Sequence, residues 1–214
     1  VMPECVSTER RAVLEAYGAE LVLSPADQAT DGAIRLAHKI LAADPKRYFM
    51  PNQYENSANP EVHYRTTGPE IYHQTGGAVD VFVAGMGTSG TLMGVGRYLR
   101  ERKPSVEVVG IEPRLGHKVQ GLKNMEEAIV PGIYKERELN RKLRIDDEEA
   151  FEMTRLLASR EGIFAGMSSG AAVAGACQVA SEMTGGVVVV LVPDRGDRYL
   201  STTLFRSVCA KCRP

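Results

Sequence analysis

The sequence has no tryptophan, and aromatic residues make up only 6% of its 214 positions. Cysteine is scarce. Cys5, Cys177, Cys209 and Cys212 do not form the dense framework that braces small secreted domains, so a reducing, cytoplasmic setting is expected. Charge of one sign is also lacking: the net value of −1 gives no global pull toward nucleic acid or an anionic membrane. No apolar run approaches the ~20 residues of a bilayer helix. The longest, 187–192, is expected to be a buried parallel strand. No basic stretch followed by an apolar core marks a signal peptide. Cys209-Ala210-Lys211-Cys212 has no second cysteine pair to complete a zinc site, and His63, His73 and His117 lack ligand spacing, so no metal is expected. There is no internal repeat and no low-complexity stretch.

What is present is an ordinary globular balance, 43% hydrophobic and 25% charged. Ser7-Thr8-Glu9 opens a helical pattern that Gly18 ends, residues 20–23 read as a short strand, and Asp31 can cap a helix over 32–43. Residues 51–60 form a polar loop with proline at each end, and a helical region follows, broken near Gly68-Pro69 and closed by Gly76-Gly77. From there the pattern alternates. A strand over 79–84 leads into a glycine-rich turn, a helix over 92–102 and a strand over 106–111. Residues 113–140 read as a long loop, the length of a functional lid. Asp146, with Glu149 placed as in a capping box, starts a helix to about residue 160. Ser168-Ser169-Gly170 opens a helix of small residues, and the valine run is the last strand. Alternating strands and helices predict an α/β fold: a mostly parallel sheet with helices on both faces. Ligands of such sheets sit beyond the carboxyl ends of the strands. The turn at 85–91 lies at one such end, and Asp194-Arg195-Gly196-Asp197-Arg198 at another.

The turn carries the most chemistry. Glycines let the main chain approach an anion, and the free N–H groups of the following helix point at it. Thr88, Ser89 and Thr91 add hydroxyls, a suitable shell for one terminal phosphate. The same residues satisfy G-x-G-x-x-G, and Glu112 lies about twenty residues on, as a dinucleotide site requires. Hydroxyl density favours a monophosphate; a nicotinamide enzyme and a turn that binds nothing both remain open from these residues alone. Arg97-Tyr98-Leu99-Arg100-Glu101-Arg102-Lys103 reads as a solvated helix end complementing the dipole rather than a nucleic-acid site.

An ordered set of segments resembles the cysteine synthases, or O-acetylserine sulfhydrylases. Met2-Pro3-Glu4 with Ser7-Thr8-Glu9-Arg10-Arg11 is similar to one family segment, as is Gly18-Ala19-Glu20-Leu21-Val22-Leu23. Asn59-Pro60-Glu61-Val62-His63 with Thr66-Thr67-Gly68-Pro69-Glu70-Ile71 resembles another. Gly85-Met86-Gly87-Thr88-Ser89-Gly90-Thr91 resembles the phosphate loop, and Gly166-Met167-Ser168-Ser169-Gly170-Ala171 the pyridine-ring segment. Asp194 to Thr202 resembles the ending of the B-type enzymes.

The resemblance implies a fold type II pyridoxal-phosphate enzyme. Residues 1–45 would finish a small mobile domain and 46–214 would form the large cofactor-binding domain. Gly87, Thr88, Ser89, Gly90 and Thr91 would hold the 5′-phosphate of pyridoxal 5′-phosphate, and Ser168 the pyridine nitrogen. Gln53 would contact the substrate carboxylate, and Gly121 would lie in the lid. The bland readings stand beside these: Ser168-Ser169 as a helix cap, Gln53 as a loop amide, 194–198 as a solvated turn. The implied reaction is β-replacement of O-acetylserine by sulfide or another sulfur donor, in a homodimer. Alternatives are cystathionine β-synthesis, serine/threonine dehydration, a dinucleotide enzyme and a non-catalytic partner-binding remnant. Serine acetyltransferase is a partner of A-type relatives, which the B-type ending argues against. The family's Ser-x-Lys motif, source of the Schiff-base lysine, and its Thr-Ser-Gly-Asn-Thr loop are not in this sequence, and no lysine here has a matching context. With a start of Val1-Met2-Pro3-Glu4, the chain reads as a fragment that is inactive by itself and supplies no catalytic residue.

Overall fold

The computed structural model describes residues 1–205; Cys209 and Cys212 lie outside them. Contacts divide the described residues into two units, one of residues 1–51 with 195–205, the other of residues 52–194.

In the first unit, strand β1 (Met2–Pro3) pairs in parallel with β2 (Leu23–Ser24), with helices α1 (Thr8–Ala16) and α2 (Ala29–Ala43). Asp31 lies in the first turn of α2 rather than at its cap, where its charge still complements the helix dipole. Ser7 Oγ donates to the Arg198 carbonyl (2.6 Å), Arg10 donates to the Tyr199 hydroxyl (2.5 Å), and Glu9 accepts from Ser201 Oγ (2.6 Å). These contacts group 195–205 with the N-terminal unit. The sequence reading differs, placing the boundary at 45 and this segment in the large domain. Pairings across some 190 positions leave no mark in a local pattern.

The second unit holds four parallel strands in the order β5-β4-β3-β6: β3 (Val79–Gly85), β4 (Glu107–Pro113), β5 (Arg141–Ile145) and β6 (Val187–Val190). Helices α3 (Ala58–Arg65) and α4 (Thr67–Gln74) precede β3, and α5 (Gly90–Arg102) links β3 to β4. Helices α6 (Asp147–Glu161) and α7 (Met167–Ser181) link β5 to β6. Phe82 and Ala84 of β3 pack with Leu92, Val95 and Leu99 of α5. Val108 faces Gly96 of α5, whereas Ile111, an odd number of positions along the same strand, fills the space beside Gly175 of α7. Side chains alternate across a strand, so α5 and α7 cover opposite faces.

Strand β5 lies in a region the sequence left unassigned. Its Arg-Lys-Leu-Arg-Ile sequence shows charges where a core strand shows valine, which suits an edge position. The valine run does form β6, but as the opposite edge strand it is half-exposed rather than buried, with Val187 at 36%. Composition marked a strand without marking its place in the sheet. Asp146 precedes α6, yet its carboxylate pairs with Arg114 (2.7 Å) instead of capping the helix. The chain steps from β3 to β4 on one side and returns with β6 on the other. The strand order therefore reverses beside β3, and the crevice at the carboxyl ends of β3 and β6 is where a ligand is expected. Among the described residues no helix is long and apolar enough to cross a membrane.

Candidate active site

The main chain leaves β3 at Gly85 and is held at once by its neighbours. The buried Met86 donates its N–H to the Ile111 carbonyl (2.7 Å) and accepts the Lys123 N–H (2.7 Å). Ser89 then takes a left-handed conformation (φ 68°) and α5 begins at Gly90. This turn, residues 87–91, lines a cavity of about 160 Å³ together with Gly121, Ser168 and two residues that follow β6, Leu191 and Pro193. The cavity therefore lies at the switch point. Glycine is required at two places in it. A Cβ on Gly87 would sit 2.9 Å from the Gly121 carbonyl oxygen, and one on Gly90 would sit 1.9 Å from Asn59 Oδ1.

Seven of the eight residues singled out in the sequence thus meet around one space: Gly87, Thr88, Ser89, Gly90, Thr91, Gly121 and Ser168. Gln53, the eighth, is exposed and outside the lining; its carbonyl accepts a hydrogen bond from Asn59 (2.8 Å). Ser168 is the second residue of α7 and 5% exposed. Gly166 takes the cap position of that helix, so Ser168 and Ser169 lie inside its first turn.

The turn fits a phosphate monoester on a specific observation. Ser89 Oγ is buried and has no hydrogen-bond partner, although it stands at the cap of α5, where serine commonly bonds its own helix. A buried hydroxyl without a partner beside a helix N-terminus is a donor set waiting for an anion. Thr88 and Thr91 complete it. The cavity, about 160 Å³ as lined by this chain, has room for a phosphate group. Glu112, which in a dinucleotide site would bind a ribose, is fully buried instead. It accepts from Arg144 Nε (2.9 Å) and the Met125 N–H (3.2 Å) and anchors the loop that carries Gly121. The Gln120 N–H meets Met167 Sδ at 3.0 Å, so this long loop is pinned where it passes the cavity.

Two residues of α3 were assigned no role from the sequence. Asn59 Nδ2 donates to Thr88 Oγ1 (3.0 Å), and His63 Nε2 lies 3.2 Å from Thr91 Oγ1 while its Nδ1 lies 3.0 Å from Thr67 Oγ1. Burial holds the His63 pKa below its ordinary value, which favours the neutral ring. The signal was the i, i+4 spacing of two polar side chains, which puts them on one face of a short helix. Pro60 between them costs little, because a first-turn residue has no helical N–H bond to lose.

A parallel sheet with a hydroxyl-rich turn at its switch point, and a buried serine on the facing helix, is the arrangement of a cofactor-binding α/β enzyme. The family of pyridoxal-phosphate dependent enzymes matches residues 1–194, and the chain belongs to that family. Cysteine synthase B of Pseudomonas aeruginosa is 42% identical over 205 residues, covering 96% of this chain and 68% of that protein. A cysteine synthase of Staphylococcus aureus is 45% identical over 216 residues, covering 95% of this chain and 68% of that protein. The crystal structure of O-acetyl serine sulfhydrylase isoform 3 from Entamoeba histolytica has a TM-score of 0.85 at 36% identity, over 97% of this chain and 64% of that one. The chain therefore spans about two thirds of the length of these relatives.

Proposed function

We propose that the protein containing this chain makes cysteine by β-replacement, exchanging the acetate of O-acetylserine for sulfide or another sulfur donor with pyridoxal phosphate as cofactor. The observation that carries this is the partnerless, buried Ser89 hydroxyl in a phosphate-sized cavity at the switch point, in a chain 42% identical to a cysteine synthase B. The amides and hydroxyls of residues 87–91 hold the phosphate, and Ser168 supports the ring from α7. When bound, the cofactor supplies a sink for the charge that develops at the substrate Cα. A serine hydroxyl at Ser168 hydrogen-bonds the ring without the negative charge that would keep its nitrogen protonated, which moderates that sink and suits departure of a β-substituent. Gln53 and Gly121 are the contacts proposed for the amino-acid substrate. The proposal extends to a soluble homodimer of the cytoplasm, with serine acetyltransferase disfavoured as a partner by the B-type ending at 194–202.

The test uses the full-length product of the gene, loaded with pyridoxal phosphate and treated with borohydride. A mass well above the 23.3 kDa of this chain plus one reduced cofactor adduct, with cysteine formed from O-acetylserine and sulfide, is the expected result. Pyruvate formed at the same rate without sulfide would replace this reading with a dehydratase. Cystathionine formed in preference to cysteine would replace it with a cystathionine β-synthase.

A further inference from the structure

Asn59 touches two segments that the sequence does not connect. Its Nδ2 lies 2.8 Å from the Gln53 carbonyl oxygen and 3.0 Å from Thr88 Oγ1. A carbonyl can only accept, so it is the amide nitrogen that faces Gln53, and the second proton of the same NH₂ group is directed at Thr88. Thr88 Oγ1 also lies 3.4 Å from the Gly90 N–H. With its lone pairs engaged by donors, the Thr88 hydroxyl keeps its own proton for a third direction, and Thr88 lines the cavity. The other end of the amide is equally placed: Asn59 Oδ1 fills the space that a Gly90 Cβ would need, 1.9 Å away. One side chain thus sets the main chain at Gln53, the hydroxyl direction of Thr88 and the packing at the start of α5.

We propose that Asn59 is a positioning residue that couples the segment bearing Gln53 to the phosphate turn, acting through Thr88 on the phosphate side and through the Gln53 main chain on the substrate side. The inference rests on the β-replacement reading and deepens it, by naming the group through which carboxylate recognition and phosphate binding are tied. Hydrogen bonds in series polarise one another, so a Thr88 hydroxyl that accepts from Asn59 is a stronger donor to a phosphate than an isolated one. On the substrate side, the Asn52 and Tyr54 carbonyls that flank Gln53 are held by other main-chain N–H groups, and the Asn59 bond fixes the main chain at Gln53 itself, from which its side chain departs.

The experiment is a pair of double-mutant cycles in the full-length protein, with cofactor affinity, the ³¹P resonance of the bound cofactor and the KM of each substrate as readouts. Asn59→Ala should weaken pyridoxal-phosphate binding on the order of tenfold, the worth of one hydrogen bond in a charged network. It should also move the ³¹P resonance and raise the KM of O-acetylserine while leaving that of sulfide unchanged. In a Thr88→Val background the same change should have no further effect on cofactor binding. In a Gln53→Ala background it should have no further effect on the KM of O-acetylserine. Asn59→Asp keeps the size of the side chain and removes its donors, and it should lose as much as Asn59→Ala; wild-type behaviour of this variant would overturn the proposal. Losses that multiply in both cycles, or KM values that rise together for both substrates, would also overturn it and leave Asn59 a packing residue. An unsubstituted protein that takes up no cofactor would sink the proposed function, and this coupling with it, before any variant is compared.

Discussion

The fully buried carboxylate of Glu112 accepts the backbone N–H of Met125 across 3.2 Å, joining the end of β4 to the loop that passes over the cavity. The other carboxylate oxygen is held by Arg144, which also reaches Glu126. Nearby, Asn124 Nδ2 donates to the Pro113 carbonyl (2.8 Å). A stretch with almost no regular structure is ordered here by side chains that satisfy its main-chain groups.

Removing that carboxylate should therefore loosen the loop. Glu112→Ala leaves a buried amide without its acceptor, and a loss of roughly 1–3 kcal/mol is expected, below that of a fully buried ion pair because Arg144 stays solvated. Glu112→Gln, which still offers the Met125 N–H an acceptor, should lose less. Denaturant titration measures both losses, and hydrogen exchange should show the Met125 amide exchanging faster in the alanine variant.

Gly94 tests the seat of α3. A Cβ there would lie 2.1 Å from the Pro60 carbonyl oxygen, a main-chain atom that no rotamer change can move aside. Gly94→Ala should displace α3 and lower stability by roughly 1–3 kcal/mol. It should also weaken cofactor binding, because Asn59 and His63 travel with the helix. Gly185 has nothing within 4 Å of its would-be Cβ, and Gly185→Ala should be neutral or stabilising by up to about 1 kcal/mol. The thermal melt of Gly94→Ala should fall while that of Gly185→Ala holds or rises; matching losses would remove the close approach as the cause.

The glycine-rich turn was legible because its signal is local: a strand, then glycines and hydroxyls, then a helix, within about twenty residues. The parallel sheet was legible for the same reason. Strand β5 was not, since only Leu143 and Ile145 alternate with the charges of Arg141, Lys142 and Arg144. Nor could the valines of β6 reveal an edge position, because a run of apolar residues carries no information about its neighbours. Asn59 and His63 fall in a segment that resembles the family's, yet their contacts with Thr88 and Thr91 appear only when α3 is packed on α5. Glu112 sat at the right spacing for a ribose contact; burial against Arg144 and Met125 is a tertiary fact that spacing cannot report.

His63 and His117 give the unit a pH dependence of defined sign. Burial lowers the pKa of both below the ordinary 6.5, and at His117 it outweighs the opposing pull of Glu127 and Asp147. The folded state then binds protons less readily than the unfolded chain. The associated stability is fully present above about 6.5 and is lost as pH falls from there through the lowered folded values. Glu182 and Asp80, lowered by their hydrogen bonds to Arg141 and Lys103, act in a separate window below their ordinary 4.5 and 3.8. Melting temperature should fall between about pH 7 and pH 5, and His63→Gln should flatten part of that slope. An unchanged slope in that variant would assign the whole effect to His117.

Ser89 sets stability against function in one residue. A left-handed serine costs roughly 1–2 kcal/mol in backbone strain, and glycine would relieve it at a smaller entropic cost. Its hydroxyl, buried and without a partner, contributes nothing to the fold in exchange. Ser89→Gly should therefore leave the protein as stable as before or more stable by up to about 1 kcal/mol. The same change removes the donor proposed for the cofactor phosphate, and a bond to a charged group is worth roughly 1.5–3 kcal/mol, so cofactor affinity should fall at least tenfold. Ser89→Ala keeps the strain and loses the donor, so it should lose as much affinity as Ser89→Gly without the gain in stability. The comparison needs only melting curves and cofactor titrations of the three proteins. Were Ser89→Gly to lose stability and keep full affinity, the hydroxyl would be holding the turn together rather than waiting for an anion.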